Sequence, residues 1–272
     1  MMPLTLMYIT NDVKIGQIAE AAGVDRIFVD LETLGKEERQ HDMDTVKSSH
    51  KIEDIGKVKE ALKSAQMLVR INKMYSGSGE EIERVIEQGA DIIMLPYFKS
   101  FQEVQKFLEL VAGRTKTNLL LETPEAVEIL DDILRLKGID EVHIGLNDLH
   151  LGYHRKFMFE LLADGTVEGI CSKLKRKHIK YGFGGIAALG KGQLPAEMII
   201  KEHYRLGSSM AILSRSFCNT SVITDLGEIK REFEQGISSI RKYEQEVQKH
   251  WGYFEDNQRD IVHIVNQIVG GN

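Results

Sequence analysis

Short apolar segments recur along the chain at a regular spacing, and each is followed by a longer segment with helical periodicity. Most of the short segments are rich in aliphatic and β-branched residues without polar alternation, which is typical of parallel strands covered on both faces. The pattern therefore predicts alternating strands and helices. The eight predicted strands span residues 4–9, 26–31, 67–71, 92–95, 118–121, 141–144, 180–183 and 210–213.

An alternating series of strands and helices also builds open, doubly wound sheets. A dinucleotide-binding fold of that kind is expected to carry a G-x-G-x-x-G turn after its first strand, whereas residues 10–12 read Thr-Asn-Asp. A length of 272 residues also suits one α/β barrel, which typically uses about 250. The sequence thus predicts an α/β protein with a (β/α)₈ TIM barrel fold.

Two segments depart from this repeat. Residues 33–51 form a long polar connection after the second predicted strand, and long connections often act as lids or binding loops. Residues 224–269 have helical periodicity and continue beyond the eighth strand. We therefore expect a catalytic barrel over residues 1–223 and a C-terminal helical extension over residues 224–272. The extension either docks on a neighbouring subunit of a homo-oligomer or closes the base of its own barrel.

Composition and charge exclude several classes of protein. The chain holds 41 acidic and 35 basic residues without a long basic stretch, so nucleic acid is not an expected partner. No apolar segment approaches the roughly 18 to 20 residues of a membrane span, and residues 1–5 lack the basic start of a signal peptide. Two cysteines, Cys171 and Cys218, fit a reducing compartment. We therefore expect a soluble, cytoplasmic protein.

Polar and mostly acidic residues follow the predicted strands, at the end of the barrel where active sites lie. Glu122 directly follows the fifth strand, where an unpaired carboxylate would carry a large desolvation cost that a cation removes. Asp148 lies just beyond the sixth strand and can face the same ion. Such hard oxygen ligands favour Mg²⁺ or Mn²⁺, with Co²⁺ also possible. The alternative is that Glu122 caps the next helix and Asp148 pairs with Arg70.

Two carboxylates leave about four positions open on a six-coordinate ion. A 2-oxo acid is suited to fill two of them through its carboxylate and keto oxygens. Arg70, at the end of the third strand, is placed to stabilise an enolate oxygen. It can also form a salt bridge with Asp30 or Glu32, and such a carboxylate would orient the guanidinium. Gly184 and Gly185, after the seventh strand, either admit a ligand close to the backbone or form a tight turn.

Five segments of the chain share a distinctive order and spacing. They read Val-Asp-Arg-Ile-Phe-Val-Asp-Leu-Glu over residues 24–32, Leu-Val-Arg over 68–70, Gly-Ala-Asp-Ile-Ile-Met-Leu-Pro over 89–96, Leu-Glu-Thr-Pro-Glu-Ala over 121–126 and Ile-Gly-Leu-Asn-Asp-Leu over 144–149. Together they resemble the HpcH/HpaI aldolase and citrate lyase β-subunit family. The combination is far more specific than any one of these motifs.

The resemblance implies a metal-dependent carbon–carbon lyase of the pyruvate type, on a barrel whose subunits often exchange helices. It implies that Glu122 and Asp148 are the metal ligands and that Arg70 binds pyruvate or its enolate. Asp30 and Glu32 are expected to take part in catalysis beside that arginine. The other positions expected to shape the substrate pocket are Gly89, Ala90, Pro96, Leu146, Asn147, Gly184 and Gly185.

One departure from the family pattern concerns proton transfer. The aldolase branch reads Asp-x-Glu-His after the second strand, whereas Thr33 follows Glu32 in this chain. We expect a substitute base near the barrel mouth, with His150 as a candidate, or a metal-bound hydroxide. The other candidates for this role are His41, His50, Tyr153 and His154.

The leading functional hypothesis is reversible aldol cleavage or condensation of pyruvate, or a related 2-oxo acid, through an enolate. A second hypothesis keeps the metal site but assigns an acyl-CoA or phosphoenolpyruvate substrate. The basic residues that would serve its phosphate are Arg39, Arg155, Lys156 and Arg215. A third hypothesis, motivated by Thr33, is a ligand-binding barrel without catalysis.

Overall fold

Eight parallel strands pair in chain order, and the last strand pairs with the first to close a barrel. The computed structural model describes residues 2–34, 50–249 and 251–271. The strands are β1 (Thr5–Ile9), β2 (Arg26–Asp30), β3 (Gln66–Arg70), β4 (Ile92–Leu95), β5 (Lys116–Leu121), β6 (Glu141–Ile144), β7 (Lys180–Ile186) and β8 (Met210–Leu213). The predicted TIM barrel with a helical extension is confirmed.

Helices follow the strands and wrap the barrel, and some of them start at a recognisable cap. Asp12 accepts the N–H groups of Lys14 and Ile15 at the start of the first helix, and Ser100 and Glu103 form a capping box at the fourth. The helices are α1 (Val13–Ala22), α2 (Ile52–Ala61), α3 (Ser78–Glu87), α4 (Phe101–Val111), α5 (Pro124–Glu128), α6 (Leu130–Ile133), α7 (Leu146–Gly152), α8 (Glu160–Ala163), α9 (Thr166–Arg176), α10 (Ala196–Leu206), α11 (Leu226–Val247) and α12 (Phe254–Gly270), with a 3₁₀ turn at Trp251–Tyr253.

Large apolar side chains fill the interior of the barrel. Arg26 and Glu141, at the first residues of β2 and β6, form the floor beneath them as a buried ion pair with two N–H···O distances of 2.7 Å. Each charge in this pair compensates the other, as a buried ion requires. The residues packed above the floor are Met7, Phe28, Leu68, Ile92, Met94, Leu120 and Met210. The opposite end of the barrel, where the strands finish, carries the polar residues.

The seventh strand is longer than predicted, because the two glycines placed after it lie inside it. β7 runs to Ile186, and its pairing with β8 is irregular between Gly182 and Gly185. Gly184 has a φ of 51°, in the left-handed region that glycine adopts without strain. Gly184 and Gly185 therefore belong to a bulge within β7 and do not form the turn that follows it.

The C-terminal helices pack on their own barrel. In α11, Glu244 accepts the N–H of Leu4 at 2.8 Å and the hydroxyl of Tyr204 at 2.9 Å, and Arg241 donates to the Leu4 carbonyl at 2.8 Å. In α12, Asn257 donates to a backbone carbonyl of α10 at 3.1 Å. The extension thus covers the barrel's own surface, and its role in subunit assembly stays a prediction.

Neither a membrane span nor a reactive thiol is found in the part of the chain that the structure describes. No described helix combines the length and the apolar character needed to cross a bilayer. Cys171 and Cys218 are both buried, and burial raises the pKa of Cys171 to about 12 and that of Cys218 to about 11. Both sulfur atoms therefore stay protonated at neutral pH.

Candidate active site at the carboxyl ends of the strands

Glu122 and Asp148 lie on neighbouring strand-to-helix connections and line the same pocket, which has a volume of about 420 Å³. Glu122 directly follows β5, and Asp148 lies in the first turn of α7, just beyond β6. Glu122 is buried, with 3 % of its surface exposed, whereas Asp148 is half-buried. The fold therefore brings the two carboxylates singled out in the sequence to one pocket.

Two backbone positions fix the carboxylate of Glu122. The N–H of Tyr97 donates to Oε1 at 3.0 Å. Next to the other oxygen lies Gly145, where an added Cβ atom would stand 2.8 Å from Oε2 and 2.8 Å from the Cβ of Glu122. Only a glycine at position 145 leaves room for Glu122, so this glycine has a steric role in the site.

The helix after β5 does not use Glu122 as its cap. Thr123 occupies the N-cap position, where its hydroxyl oxygen accepts the N–H of Ala126 at 3.2 Å and its O–H donates to the carbonyl of Phe98 at 2.8 Å. Pro124 follows at the first helical position, which needs no N–H. The alternative reading of Glu122 as a helix cap is therefore wrong, and its carboxylate lines the pocket.

Arg70, the last residue of β3, is held by two buried carboxylates at the end of the neighbouring strand β2. Its Nε and Nη2 atoms each lie 2.8 Å from one oxygen of Asp30, and its Nη1 lies 3.4 Å from Glu32. Burial opposes the charged guanidinium, but the negative charges of Asp30 and Glu32, with a contribution from Glu122, raise the pKa of Arg70 well above its usual value. Arg70 is thus a fixed positive charge at the barrel mouth.

Acidic side chains gather around this arginine. Asp30, Glu32 and Glu122 all act on the Arg70 guanidinium, and Asp148 lines the pocket beside Glu122. The oxygen donors of Glu122 and Asp148 match the ligands that Mg²⁺ and Mn²⁺ prefer. Among the described residues, no group of three or more His, Cys, Asp or Glu side chains is placed to hold a metal. Metal binding by the pair Glu122 and Asp148 stays a prediction.

The residues expected to shape the substrate pocket divide into two groups. Pro96 directly follows β4, and Leu146 and Asn147 begin α7, so all three lie at the carboxyl end of the barrel. Gly89 and Ala90 precede β4 and lie at the opposite end, so their predicted place in the pocket is wrong. Parallel strands carry their first residues to one end of the barrel and their last residues to the other.

Gly184 on β7 and Leu146, just beyond the neighbouring strand β6, lie close together at the barrel mouth. An added Cβ atom at Gly184 would stand 2.8 Å from Cδ1 of Leu146, so the glycine admits the leucine side chain. The carbonyl oxygen of Gly184 lies 3.1 Å from Nε2 of His143 on β6. The glycine at position 184 therefore serves close packing, and a contact with substrate stays a prediction.

His50 and His150 are not among the residues that line the pocket of Glu122 and Asp148, and the two rings differ in which nitrogen carries the proton. Nδ1 of His50 accepts the N–H of Asp30 at 2.9 Å, so the neutral ring bears its proton on Nε2. Nδ1 of His150 lies 3.2 Å from the Leu146 carbonyl, which can only accept, so Nε2 of His150 carries the lone pair. His150 thus has a nitrogen able to take up a proton, whereas Nε2 of His50 is a donor.

The other residues predicted as candidates for proton transfer differ in their exposure and contacts. His154 is exposed and Tyr153 is half-buried. Thr33, at the position where the aldolase branch has histidine, donates through its N–H to Oδ1 of Asn72 at 2.9 Å. The candidates Arg39 and His41 lie outside the described residues.

Two side chains of the pocket were missed in the sequence. Tyr97 and Lys99 both line it, and Tyr97 has a φ of 49°, in the left-handed region. Of the residues that follow β4, Pro96 was predicted to shape the pocket, whereas Tyr97 and Lys99 were not, because neither is a carboxylate able to bind a metal. The rule that active-site residues follow the strand ends would have included Tyr97, which lies two residues after β4. Its left-handed backbone, in contrast, is not indicated by any sequence motif.

A buried histidine also escaped notice. His143 points from β6 with 1 % of its surface exposed, and burial lowers its pKa to about 4. Nδ1 of this ring is buried without a hydrogen-bond partner among the described residues. His143 lies within a strand and not after its end, where the active-site residues of a barrel are expected, so it was not predicted to belong to the site.

The fold and the site define a class: a (β/α)₈ barrel with an acidic pocket at the carboxyl ends of its strands. Within that class, the model of the HpcH/HpaI aldolase/citrate lyase family matches residues 5–170. The chain belongs to this family. A search of curated proteins gave no match.

Solved structures share the fold at low sequence identity. An HpcH/HpaI aldolase from Desulfitobacterium hafniense is 18 % identical with a TM-score of 0.59, over 88 % of this chain and 93 % of that one. An HpcH/HpaI aldolase/citrate lyase family protein from Burkholderia cenocepacia is 12 % identical with a TM-score of 0.63, over 84 % and 95 %. The citrate synthase SbnG is 15 % identical with a TM-score of 0.62, over 88 % and 94 %.

Proposed function

We propose that this chain is a carbon–carbon lyase of the aldolase type that depends on a divalent metal and acts on pyruvate or a related 2-oxo acid. One observation carries the proposal: Glu122 and Asp148, from neighbouring strand ends, line one pocket. Membership of a family of aldolases and lyases supports it. The enzyme would cleave the bond between C3 of the 2-oxo acid and the carbon that leaves as the aldehyde. In the reverse direction it would form that bond.

Glu122 and Asp148 would hold the metal, with Mg²⁺ or Mn²⁺ as the ions that best match two carboxylates. When bound, the cation supplies Lewis acidity that polarises the keto oxygen of the substrate. Tyr97 and Gly145 serve this site through Glu122, because the hydrogen bond from Tyr97 and the missing side chain at Gly145 fix where the carboxylate stands.

Arg70 would stabilise the negative charge that develops on the enolate oxygen. Its guanidinium is charged at every physiological pH and is oriented before substrate arrives, since Asp30 and Glu32 hold it on three nitrogens. A donor fixed in advance stabilises charge without the cost of reorganisation. Asp30 and Glu32 thus act through Arg70.

His150 is the proposed proton-transfer group. It lies in α7 two residues after Asp148, and its hydrogen bond to the Leu146 carbonyl leaves a lone pair on Nε2. Variant His150→Gln keeps a polar side chain but has no nitrogen that takes up a proton. We expect it to slow exchange of the pyruvate methyl protons with solvent by about 100-fold, within the usual range for general base catalysis.

The proposal is tested by metal binding and by pyruvate enolisation. Variants Glu122→Gln and Asp148→Asn each remove one charge with little change in shape. We expect Mn²⁺ affinity, measured by titration calorimetry, to fall by more than the roughly 10–100-fold that a lost supporting contact costs. We also expect loss of exchange of the pyruvate methyl protons with solvent deuterium.

Exposed carboxylates outside the barrel provide the controls. Glu109→Gln and Asp131→Asn make the same chemical changes at residues whose side chains are 55 % and 64 % exposed. Both are expected to bind Mn²⁺ and to enolise pyruvate like the wild type. Metal binding and exchange that survive in Glu122→Gln and Asp148→Asn would refute the proposed function. Metal binding without exchange in the wild type would favour a ligand-binding barrel.

A second candidate is an acyl-CoA or phosphoenolpyruvate substrate at the same metal site. The family includes citrate lyase, and the fold is shared with a citrate synthase. Arg155, one of the basic residues offered for phosphate, is instead paired with Asp164 at 2.9 Å. Thermal shifts with Mg²⁺ and either pyruvate, oxaloacetate, phosphoenolpyruvate or acetyl-CoA separate the candidates, because a ligand that binds the folded state raises its melting temperature.

A further inference from the structure

Asn72 connects the segments that follow β2 and β3. At the end of the two strands, the N–H of Leu31 donates to the carbonyl of Arg70 at 2.9 Å. Further along, Oδ1 of Asn72 accepts the N–H of Thr33 at 2.9 Å and the N–H of Leu34 at 2.9 Å. The Thr33 hydroxyl also donates to this oxygen, at 3.3 Å. One side-chain oxygen thus takes the place that a backbone carbonyl would take in a longer pair of strands.

Glu81, on α3, decides which way the Asn72 amide faces. The two ends of an asparagine amide have nearly the same shape, but one end accepts hydrogen bonds and the other donates them. Oε1 of Glu81 accepts the side-chain Nδ2–H of Asn72 at 2.8 Å and its backbone N–H at 3.1 Å. Because Nδ2 is held on Glu81, Oδ1 faces the N–H groups of Thr33 and Leu34.

The position of Glu81 is a costly one for a carboxyl group. Only 6 % of its surface is exposed, and burial raises its pKa although contacts with Asn72 and Tyr75 oppose the shift. Its Oε2 atom is buried without a hydrogen-bond partner among the described residues. An apolar side chain would avoid this cost. The two hydrogen bonds from Asn72 therefore explain why a carboxyl group stands at position 81.

The residues that Asn72 holds directly follow a carboxylate that fixes Arg70. Glu32, just before Thr33, has its carboxylate 3.4 Å from Nη1 of Arg70, and its N–H donates to Oδ1 of Asp30 at 3.2 Å. Movement of Thr33 away from β3 would carry Glu32 with it. The guanidinium of Arg70 would then lose one of its two supports.

We infer that Asn72 is a positioning residue of the active site and that Glu81 orients it for this task. The two side chains keep the segment after β2 against β3, so that Glu32 stays beside Arg70. Thr33, at the position where the aldolase branch has histidine, serves this contact. The inference rests on the proposed function, in which Arg70 stabilises the enolate. Asn72 and Glu81 act through Glu32 and Arg70 and not on the substrate itself.

The kinetic test follows exchange of the pyruvate methyl protons by the Mg²⁺-loaded protein at varied pyruvate concentration. Asn72→Ala removes the acceptor for the N–H groups of Thr33 and Leu34. We expect kcat for exchange to fall by about tenfold with little change in KM, as for an interaction that matters in the transition state. Mn²⁺ affinity should stay at the wild-type value, because Glu122 and Asp148 follow other strands.

An asparagine far from the site provides the control for this variant. Asn266→Ala makes the same chemical change at an exposed position on α12 and is expected to exchange pyruvate protons like the wild type. An unchanged kcat in Asn72→Ala would overturn the inference. A loss of Mn²⁺ affinity as large as the loss of rate would also overturn it, because the whole site would then be disturbed.

Two variants at position 81 separate the hydrogen bond from the charge. Glu81→Leu and Glu81→Gln both remove the negative charge, but only glutamine keeps an oxygen that accepts from Asn72. We expect Glu81→Leu to lower kcat for exchange by about tenfold, since the Asn72 amide can then turn over. Glu81→Gln is expected to recover most of that loss. Equal rates in the two variants would overturn the orienting role of Glu81.

Amide hydrogen exchange provides a readout that needs no turnover. In the Mg²⁺-loaded protein without substrate, we expect the N–H groups of Thr33 and Leu34 to exchange about tenfold faster in Asn72→Ala and Glu81→Leu than in the wild type. Equal amide exchange in the three proteins would overturn the inference. Failure of the proposed function gives a different result, namely no exchange of pyruvate methyl protons by the wild type, whatever the rates at the two amides.

Discussion

Arg70 and Asp30 form a two-pronged ion pair at the ends of neighbouring strands, with Nε and Nη2 each 2.8 Å from a different carboxylate oxygen. The two residues are also partners in the register of β2 and β3, so the backbone sets their spacing before the side chains meet. A fork of this kind fixes the plane of the guanidinium. Asp30 therefore controls the orientation of the Arg70 guanidinium at the barrel mouth.

Replacing Asp30 by asparagine should loosen the orientation of the Arg70 guanidinium. Asp30→Asn removes the charge and one of the two acceptors, while Glu32 still neutralises part of Arg70. We expect pyruvate proton exchange to slow by about 100-fold, as for a catalytic group displaced by about 1 Å. Urea unfolding should show a loss of about 1.5–3 kcal/mol for the charged hydrogen bond. Exchange at the wild-type rate would contradict an orienting role for Asp30.

Adding a methyl group at Gly145 should disturb the metal site. In Gly145→Ala the new Cβ atom would stand 2.8 Å from Oε2 of Glu122, so the carboxylate must move. We expect weaker Mn²⁺ binding by titration calorimetry and a loss of about 1–3 kcal/mol in stability, typical of overpacking. Gly169→Ala is the control, since position 169 lies in α9 with open space around an added Cβ. Unchanged metal affinity in Gly145→Ala would contradict the steric role.

Two buried histidines should make the protein less stable in mild acid. Burial lowers the pKa of His143 to about 4 and that of His203 to about 3, whereas an unfolded chain titrates near 6.5. Between these values the unfolded state binds more protons than the folded state. Their contribution to stability is therefore complete above about pH 6.5 and is lost as the pH falls towards 4.

His143→Gln tests this dependence, because glutamine can still donate to the Gly184 carbonyl but does not titrate. We expect the slope of unfolding free energy against pH, measured between pH 6 and 5, to fall by about 1.4 kcal/mol per pH unit. His263→Gln, at an exposed position on α12, is the control. An equal slope in His143→Gln and wild type would show that His143 is not the group responsible.

The ion pair on the barrel floor should matter for stability. Glu141→Gln leaves Arg26 buried with a neutral partner, and we expect a loss of about 3–5 kcal/mol in urea unfolding. The double variant Arg26→Met, Glu141→Leu removes both charges and should recover much of that loss, since no buried charge then lacks a partner. A double variant no more stable than Glu141→Gln would argue against this electrostatic explanation.

Much of the fold follows directly from local patterns. Each strand of the barrel is a short segment rich in apolar residues, and several helices have an amphipathic periodicity and a local cap, so both depend on residues close together in sequence. Glu122 and Arg70 were found by the same logic, because a closed parallel barrel brings the ends of all its strands together. Their roles in metal and enolate binding stay predictions.

Several features depended on contacts between distant residues. The bulge at Gly184 in β7 reflects its pairing with β8, and the amino end of β4 carries Gly89 and Ala90 away from the pocket. The assignment of Thr123 as the cap of α5 rests on atomic distances that a sequence motif does not give. None of these is encoded in a short window of sequence.

The sequence by itself determined the barrel and the acidic residues at its mouth, because hydrophobic periodicity sets which segments become strands and chain order sets which residues follow them. Only the tertiary structure decided how those residues meet. The left-handed backbone of Tyr97, the space beside Gly145 and the protonated nitrogen of His50 depend on packing and hydrogen bonds between elements far apart in sequence. Such contacts exist only once the barrel has closed.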